Sequence, residues 1–497
     1  MPRNYPNLTQ AADLPSAGGG INTDTTQVVN LEATFRRIRA RAEYLSVRDG
    51  GQFAGTRYTV RAANHHGFLN HFQGILRLRD GKHLLISGSD WEKDTRNSHI
   101  FVIKMASRPA EGFWGSNIMF NKKPPKEDTV VKTIGIDKQL WHPGGMDVLG
   151  DLVVVPIEQG TNETVRSVAK AGPADPNHSK IVFFDMTDPQ KPKFFKDCSI
   201  DRPDVKAGAA ALTKLQTDYF LLAVWSDSDA LPPRLDFYLS DEPTFPSPFT
   251  REPTTWFPEQ VATLEGQTPT FGNFQALNFV RQKEENNEEQ LYLVGFRKAD
   301  EFNLAELYTI DIGEDTNPPE PGKGIELPNI TKVATRAFQD NKYCDMAGAS
   351  GLYVEPNTGK PIIYSSHQFR RKEGILRLSE FSVPKSKGEG EVTDLKDSWV
   401  ELFEESHFKG RFLRLFDLSA NHATIRDYSK VRAQGETFND KVSSVRYQIP
   451  EGVTYQLYDD KNFKKDILPL PGRGTIVEMG ELENRGLAGE VSSSRLI

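Results

Sequence analysis

The sequence predicts an all-β fold, and three observations support this. Short apolar runs rich in β-branched residues, such as 152–155 and 181–184, are too short for helices and lack the helical period. A four-residue opening recurs at intervals of 71, 64, 67 and 72 residues, with the first residues His71, His142, Lys206, Asn273 and Asp345. The fourth residue of each opening is Gly or Ala, which lets inner strands crowd around a channel. These features predict a β-propeller of five blades, six being the alternative.

Within each repeat the apolar runs predict the strands of one blade. The fifth repeat contains no outer strand before the composition changes at residue 384, so a strand near the N-terminus, either 42–47 or 56–61, is expected to complete it. The predicted strands are 74–78, 84–86, 100–104 and 130–134 in blade one, 152–155 and 181–185 in blade two, 219–224 and 235–239 in blade three, 291–294 and 306–312 in blade four, and 361–365 and 375–383 in blade five.

The chain divides into four predicted parts. Residues 1–27, rich in Pro, Gly, Asn and Thr, are expected to form a mobile arm, followed by the propeller at 28–385. At the start of the propeller, Leu31, Phe35 and Ile38 have helical spacing, so either a short helix or an outer strand is expected there. A linker is predicted at 386–397, and a second domain at 398–497.

Length and charge exclude several classes of protein. A chain of 497 residues is too long for one ordinary core, and a net charge of −7 without a basic stripe argues against a nucleic-acid partner. No apolar run approaches the roughly 18 residues that span a bilayer, so we expect a soluble protein. Two cysteines exclude a disulfide framework. Residues 1–26 lack the apolar core of a signal peptide, and secretion is expected only if a signal has been removed.

The second domain contains a repeated aromatic corner. Phe403, Phe408 and Gly410 have the spacing of a Greek-key hairpin corner, and Tyr458 and Phe463 repeat that spacing, with Lys465 where the glycine should be. Each unit then ends in a serine-bearing hexapeptide, at 439–444 and at 488–493. The last hundred residues therefore resemble the βγ-crystallin family, and the resemblance implies a two-motif Greek-key sandwich.

The first hexapeptide fits the calcium motif of that family. The motif has two Asn or Asp residues, two variable positions and then Ser or Thr before Ser, and the resemblance implies calcium ligands at Asn439, Asp440 and Ser443. Oxygen donors of this kind suit a hard cation. The second hexapeptide has Ala488 and Gly489 in the Asn/Asp positions. We therefore expect one calcium site, the alternative being a domain that keeps the fold without the metal.

The propeller repeats predict two rings of side chains around one mouth of the channel. The strand openings form the inner ring: His71, His142, Lys206, Asn273 and Asp345. The ends of the second strands form the outer ring: Ser89, Glu158, Trp225, Arg297 and His367. Convergent titratable groups at the mouth of a fold are the default prediction for an active site.

Three readings of these rings remain open. His71, His142 and His367 with Glu158 and Asp345 would hold a transition metal, or would act as metal-free acid and base catalysts. Lys206, Asn273, Arg297, Trp225 and Ser89 would then bind the substrate. The third reading is a polar channel with no catalytic task.

The sequence favours an enzyme for a small organic substrate, without nucleotide or redox cofactor, of the lyase, isomerase or cyclase type. No Gly-rich phosphate loop, nucleophile elbow or Cys-x-x-Cys pair is present. The alternative is a carbohydrate- or protein-binding propeller whose calcium-binding tail stabilises it. The rings differ from blade to blade, which favours one unique site over repeated binding pockets. The sequence leaves the oligomeric state open.

Overall fold

A computed structural model describes most of the chain. The described residues are 8–28, 30–38, 42–48, 70–90, 97–105, 129–160, 177–228, 231–263, 270–283, 289–299, 302–312, 322–338, 344–366, 375–383, 394–395, 398–406, 409–416, 418–419, 424–433, 436–474, 476–482 and 489–497. These residues are almost entirely in strands and loops, so the all-β class is correct. None of the described helices is long and apolar enough to cross a bilayer.

The N-terminal segment lies along several sheets of the propeller-like part. Its elements are β1 (Leu8–Gln10), a 3-10 turn (Ala11–Asp13), β2 (Gln27–Val28), α1 (Leu31–Arg36) and β3 (Glu43–Arg48). Asn30 caps α1, its side chain accepting a hydrogen bond from the Ala33 amide (3.2 Å), and Leu31 and Phe35 form the buried face. The helical spacing in this stretch therefore produces a helix and not an outer strand.

The first repeat forms an antiparallel sheet of four strands in chain order. They are β4 (Asn70–Arg77), β5 (His83–Asp90), β6 (Ser98–Lys104) and β7 (Thr129–Gly135). The strand β1 pairs in parallel with β7 at its outer edge. Residues 1–27 were expected to form a mobile arm. Instead, β1 pairs with β7, and β2 pairs with a strand of the fourth repeat, described below. The described part of that arm is ordered because its backbone hydrogen bonds and its buried Ala11 and Leu14 hold it against the blades.

The later repeats form four further sheets of the same kind. The second contains β8 (His142–Pro143), β9 (Asp147–Leu149), β10 (Leu152–Glu158), β11 (Ser179–Asp185), β12 (Lys193–Phe194) and β13 (Ile200–Arg202). The third contains β14 (Ala209–Lys214), β15 (Phe220–Ser228), β16 (Leu231–Leu239) and β17 (Thr254–Trp256). The fourth contains β18 (Ala262–Thr263), β19 (Ala276–Lys283), β20 (Glu289–Ala299), β21 (Phe302–Asp311) and β22 (Asn329–Phe338), with β2 beside β19.

The last repeat is completed by the N-terminal segment. It contains β23 (Ser350–Val354), β24 (Pro361–Ser366) and β25 (Ile375–Ser382), and β3 pairs antiparallel with β25 as the fourth strand. Of the two candidate closing strands, the structure uses the one near 42–47, while 56–61 lies outside the described residues. The strand β23 pairs in parallel with β4 at Ser350 and Gly74, so the first and last repeats are neighbours.

The innermost strands of the repeats lie side by side around one axis. Neighbours in this circuit are β9 and β14, β14 and β19, β19 and β23, and β23 and β4. Between the first two repeats, the Ser87 hydroxyl donates to the Gly144 carbonyl oxygen at 2.9 Å. The N-terminal part of the chain is therefore propeller-like.

Close backbone approach explains the small residues in the strand openings. A Cβ on Gly145 would lie 2.3 Å from the carbonyl oxygen of Gln275, and a Cβ on Gly74 would lie 2.8 Å from the Met146 nitrogen. Both distances are shorter than any real contact of a Cβ atom. A larger residue at either position would push neighbouring inner strands apart.

The C-terminal part contains two facing sheets with a shared core. Its strands are β26 (Trp399–Glu405), β27 (Lys409–Phe416), β28 (Arg432–Ala433), β29 (Glu436–Thr437), β30 (Ser444–Gln448), β31 (Thr454–Asp460), β32 (Lys464–Pro471), β33 (Ile476–Met479) and β34 (Ser493–Leu496). One sheet has the order β27, β26, β30, β33 and the other β32, β31, β34. Strand β33 thus crosses to the sheet of the first motif, and Ile425 of the first motif forms a bridge to Ser494 of β34. The two halves exchange strands and pack as one unit.

The C-terminal part docks against the fourth repeat. The Arg446 guanidinium pairs with Glu401 (Nε to Oε2, 2.7 Å) and donates to the Thr335 carbonyl oxygen at 3.4 Å. The Arg336 guanidinium lies 4.8 Å from the centre of the Trp399 ring. Most of the predicted linker, 386–397, lies outside the described residues.

Candidate functional site

A β-bulge at the start of β4 builds one side of the candidate site. The pairing of β4 with β5 shifts register between Phe72 and Gly74, so Gln73 is the extra residue of the bulge. Bulges turn a side chain away from its normal alternation and often occur beside sites. Here the Gln73 amide points to the imidazoles of both His71 and His142.

Hydrogen bonds fix the tautomers of the two histidines. Gln73 Nε2 lies 2.8 Å from His71 Nε2 and 3.1 Å from His142 Nε2. An amide nitrogen only donates, so both Nε2 atoms accept and each neutral ring carries its proton on Nδ1. His142 Nδ1 lies 3.1 Å from Glu158 Oε1, where that proton completes a hydrogen bond. The opposite amide orientation would put a bare nitrogen of His142 against the carboxylate.

Glu158 is held from two sides. It lies opposite His142 in the pairing of β10 with β8, and its second oxygen accepts the Ala207 amide at 2.9 Å. Burial raises the pKa of Glu158, but the His142 hydrogen bond, the positive charge of Lys206 and the Ala207 amide outweigh this and leave the pKa below its usual value. The carboxylate is therefore ionised at neutral pH and supports a positive charge on His142.

His71 differs from His142 in its surroundings. Its side chain is buried, and the two rings stack with centres 5.0 Å apart. Burial, followed by the proximity of His142, holds the pKa of His71 well below its usual value. His71 is therefore neutral at pH 7, whereas the part-exposed His142 has the carboxylate partner that a catalytic base requires.

The structure brings only part of the predicted rings together. His71, His142, Glu158 and Lys206 form one cluster, and the buried Ser89 lies opposite His71 in the pairing of β5 with β4. His367 lies outside the described residues.

Two members of the inner ring do not join this cluster in any described contact. Asp345 accepts from the Ala347 amide at 3.1 Å and lies 3.8 Å from Lys298 Nζ. Asn273 is exposed, with a positive φ of 56°. Among the described residues, no three His, Cys, Asp or Glu side chains converge closely enough to hold a metal ion.

Two residues predicted to bind substrate have structural roles instead. Trp225 is 1% exposed and packs edge-to-face against Phe271 and Phe274, with ring centres 5.8 and 5.7 Å away. Arg297 pairs with the buried Glu306 through Nε and Nη2, both at 3.0 Å. The sequence alignment placed both residues at strand ends, but the Trp225 ring packs against the fourth repeat and the Arg297 guanidinium is bound to Glu306 on the neighbouring strand β21.

The predicted calcium ligands lie together where the two sheets of the C-terminal part meet. Asp440 has a φ of 53°, and its Oδ1 accepts from the Ser492 hydroxyl at 2.8 Å. The Asn439 amide nitrogen donates to the other oxygen of Asp440, while Asn439 Oδ1 is buried and accepts no hydrogen bond from the described residues. Ser443 is fixed by its backbone amide, which donates to Phe403 O at 2.7 Å. An oxygen without a donor beside a carboxylate fits a calcium ion.

Gln73 and a second polar group, built around Asp147, were not predicted from the sequence. Asp147 Oδ1 accepts from Asn278 Nδ2 at 2.7 Å, and its Oδ2 accepts from the Leu212 amide at 2.9 Å. Asn278 Oδ1 in turn accepts from the Leu352 amide at 3.0 Å. The available signal was a polar residue two positions after the small residue of an opening, at Asp147 and at Asn278.

Comparisons with known proteins give no family. No family model and no curated protein matches the chain. Similar solved structures include the exo-β-1,3-galactanase of Phanerochaete chrysosporium, at 10% identity and a TM-score of 0.33, covering 91% of this chain and 93% of that one. The α-L-arabinanase of Penicillium chrysogenum is 12% identical with a TM-score of 0.32, over 74% and 99% of the two chains. A Dyadobacter fermentans protein of unknown function has a TM-score of 0.34 at 8% identity, over 70% and 100%. At these TM-scores the description of the fold rests on the strand pairing alone.

Proposed function

We propose that this protein is an enzyme that acts on a small organic molecule by proton transfer, without a nucleotide or redox cofactor. The site is the mouth of the channel at which the inner strands begin. The observation that carries this proposal is the His142 imidazole, held between the Glu158 carboxylate and the Gln73 amide. His142 Nε2 is the basic nitrogen: the substrate displaces the Gln73 N–H from its lone pair, Nε2 takes the proton, and Glu158 stabilises the imidazolium that forms.

The neutral His71 and the Gln73 amide have a different role in this proposal. Since the pKa of His71 lies well below its usual value, its imidazole orients the substrate and does not take the proton. Returning the proton from His142 to the same or a neighbouring atom gives isomerase chemistry. If the carbanion instead expels a leaving group from the adjacent carbon, forming a double bond, His142 gives the proton to that leaving group and the chemistry is that of a lyase; neither course involves net oxidation. Lys206, close enough to lower the pKa of Glu158, is placed to attract an anionic substrate.

We further propose a five-bladed count for the propeller and a crystallin-type tail that binds calcium. The blade count is supported by the circuit of inner strands and by the pairing of β3 with β25. The exchange of β33 between sheets supports the Greek-key motif pair, and Asn439 Oδ1 supports the calcium site. Asn439, Asp440 and Ser443 are the proposed ligands.

The second candidate is a carbohydrate- or protein-binding propeller stabilised by its tail. The blade openings favour the enzyme because they differ from one another. In the described contacts, only the first three openings, at His71, His142 and Lys206, form a cluster with a buried carboxylate, Glu158. A binding module with repeated pockets would place similar groups in each blade.

The test is proton exchange. Wild-type protein is incubated in D₂O with sets of small oxo acids, hydroxy acids and uronic sugars, and loss of C–H signals is followed by NMR. His142→Ala and Glu158→Gln should lower the exchange rate by about 10²–10⁴-fold. The stability of His142→Ala should fall by about 1 kcal/mol or less, because its side chain is part-exposed. His367→Ala tests the remaining predicted histidine.

The matched control is His83→Ala. His83 is a histidine that also pairs with a carboxylate, Asp80, at 2.6 Å, but it lies at the opposite end of β5 from Ser89 and the cluster. Its variant should keep the wild-type rate. The enzyme proposal fails if the wild type exchanges no substrate proton, or if the rates of the variants fall only in proportion to the loss of folded protein.

A further inference from the structure

The Gln73 amide covers the nitrogen that the proposed mechanism uses as a base. Gln73 Nε2 lies 3.1 Å from His142 Nε2 and 2.8 Å from His71 Nε2. A side-chain amide nitrogen has two N–H groups to donate, so the two imidazoles engage both of them. His142 Nε2 therefore takes a substrate proton only after the amide has moved.

Few contacts oppose this movement. The two imidazoles are the only side-chain hydrogen-bond partners of Gln73 in the part of the chain that the structure describes. Gln73 is also the extra residue of the β-bulge, without a partner in the register of β4 with β5. A substrate approaches from the solvent, since the His142 side chain is 21% exposed. Displacing the amide breaks its hydrogen bonds to the imidazoles and leaves the strand pairing intact.

The displaced amide requires a new acceptor. Only 3% of Gln73 is exposed, so its two N–H groups are freed at a buried position. A buried donor that loses its acceptor weakens binding by about tenfold or more. The compound that displaces the amide therefore has to supply an oxygen of its own, close to the carbon that gives its proton to His142 Nε2. A carbonyl oxygen meets this need, because it is two bonds from the carbon that carries the acidic proton.

The charges formed during the reaction show what this donor does. When the carbon gives its proton to His142, the electron pair of the C–H bond forms a C=C bond and the carbonyl oxygen becomes an enolate. The imidazolium and the Glu158 carboxylate then neutralise each other, with His142 Nδ1 3.1 Å from Glu158 Oε1. The enolate needs its own donor, and a hydrogen bond to an ion is about twice as strong as one between neutral groups.

We propose that Gln73 is a catalytic residue, whose amide moves from the two imidazoles to a carbonyl oxygen of the substrate and stabilises the enolate that forms there. The substrate class is then a carbonyl compound or carboxylic acid whose reacting C–H is on the carbon next to the carbonyl carbon. This role rests on the proton-transfer function proposed above.

The test is the steady-state rate of C–H exchange in D₂O by the full chain. The compounds are oxo acids, hydroxy acids and uronic sugars, with pyruvate, lactate and glucuronate as the first of each set. Gln73→Met keeps the length of the side chain and removes the donor. It should lower kcat by about 10²–10³-fold, the usual loss for one oxyanion donor. KM should change by less than about tenfold, because in the bound ground state the amide exchanges one neutral acceptor for another.

The matched control is Gln290→Met. Gln290 is a part-buried glutamine at the start of β20 in the fourth repeat, and its Nε2 donates to the Leu291 carbonyl oxygen at 2.9 Å. This variant should keep the wild-type kcat. If Gln73→Met does not fold, Gln73→Glu keeps the size of the side chain, and its ionised carboxylate offers no donor. Its kcat should fall at least as far.

The outcomes separate this role from the function on which it rests. A wild type that exchanges no proton from any compound overturns both. A wild type that exchanges while the folded Gln73 variant keeps the same kcat, or loses only KM, overturns the role of Gln73 and leaves the proton-transfer function standing. Exchange at a carbon without a carbonyl neighbour overturns the substrate class.

Discussion

Replacing Glu306 by Gln should destabilise the propeller far more than the loss of one surface ion pair. Glu306 lies on β21 with a side chain that is 1% exposed. It pairs with Arg297 at 3.0 Å and with Lys332 at 2.6 Å, and it accepts the Tyr308 hydroxyl at 2.8 Å. Gln keeps the shape of the side chain but removes the negative charge that pairs with the buried Lys332 and the part-buried Arg297.

Two independent arguments give a similar loss of unfolding free energy for this variant. Burial raises the pKa of Glu306, but Lys332 and Arg297 outweigh it and lower the pKa from 4.5 to about 2. A shift of that size corresponds to about 3 kcal/mol of folding free energy on the carboxylate side, and burial of Lys332, which lowers the pKa of its ammonium, offsets part of it. Removing one partner of a buried pair costs about 3–5 kcal/mol in other proteins. We expect Glu306→Gln to lower the free energy of unfolding by about 3–5 kcal/mol.

The assay is urea unfolding followed by tryptophan fluorescence, since Trp225 and Trp256 are buried in the core that also contains Tyr308. Asp218→Asn is the matched control. It breaks an acid–lysine pair of the same length, Asp218 with Lys214 at 2.6 Å, but Asp218 is 65% exposed. Exposed pairs contribute about 0–1 kcal/mol, so this variant should unfold almost as the wild type does.

The pH dependence gives a second check. A carboxyl group with a lowered pKa in the folded state stabilises the protein above its unfolded pKa, and that contribution is lost as the pH falls. The stability difference between wild type and Glu306→Gln should therefore shrink as the pH falls from about 4.5 towards about 2. A loss no larger than that of Asp218→Asn, or a difference that does not change with pH, would refute this account of the Glu306 network.

Three further predictions concern other parts of the chain. Calcium at a hundredfold excess over Kd should stabilise the C-terminal part by about 2.7 kcal/mol and so raise the melting temperature of its transition in the full protein. Asp440→Ala should abolish the gain, and an equal gain in the variant would contradict the site. Cys198, whose pKa burial raises to about 11, and the buried Cys344 should react with a thiol reagent only after unfolding, and a mass lower by two protons after oxidation would contradict this. Burial raises the pKa of Asp147 to about 7, so this group should lower stability as the pH rises from about 4 to 7; Asp147→Asn should lack that slope, and parallel urea–pH profiles of the two proteins would be the contrary result.

Local patterns in the sequence were sufficient for the strands and their openings. The apolar run at 152–155 lies in β10, and the small residues Gly74 and Gly145 lie where backbones of neighbouring repeats meet. These features could be predicted because strand periodicity and the need for a missing Cβ are visible in single residues and their spacing. His71, His142 and Glu158 followed from the same alignment, since the starts of inner strands and the ends of second strands share one mouth.

The tertiary structure alone decided which of those side chains face the channel. Gln73 reaches both histidines because a bulge turns it, and a bulge depends on the pairing of β4 with a second strand. Trp225 and Arg297 occupy predicted ring positions, yet Trp225 packs against Phe274 of the next repeat and Arg297 pairs with Glu306 across the β20–β21 pairing.

The same distinction between local pattern and tertiary contact applies to the fold as a whole. The sequence by itself determined the all-β class, the repeat and one group of titratable residues, because each depends on local spacing. The closing strand β3 and the contacts of Asp147 depend on how separate repeats close into a circuit. Closure brings together residues hundreds of positions apart, and no local pattern in a single sequence specifies which of them meet.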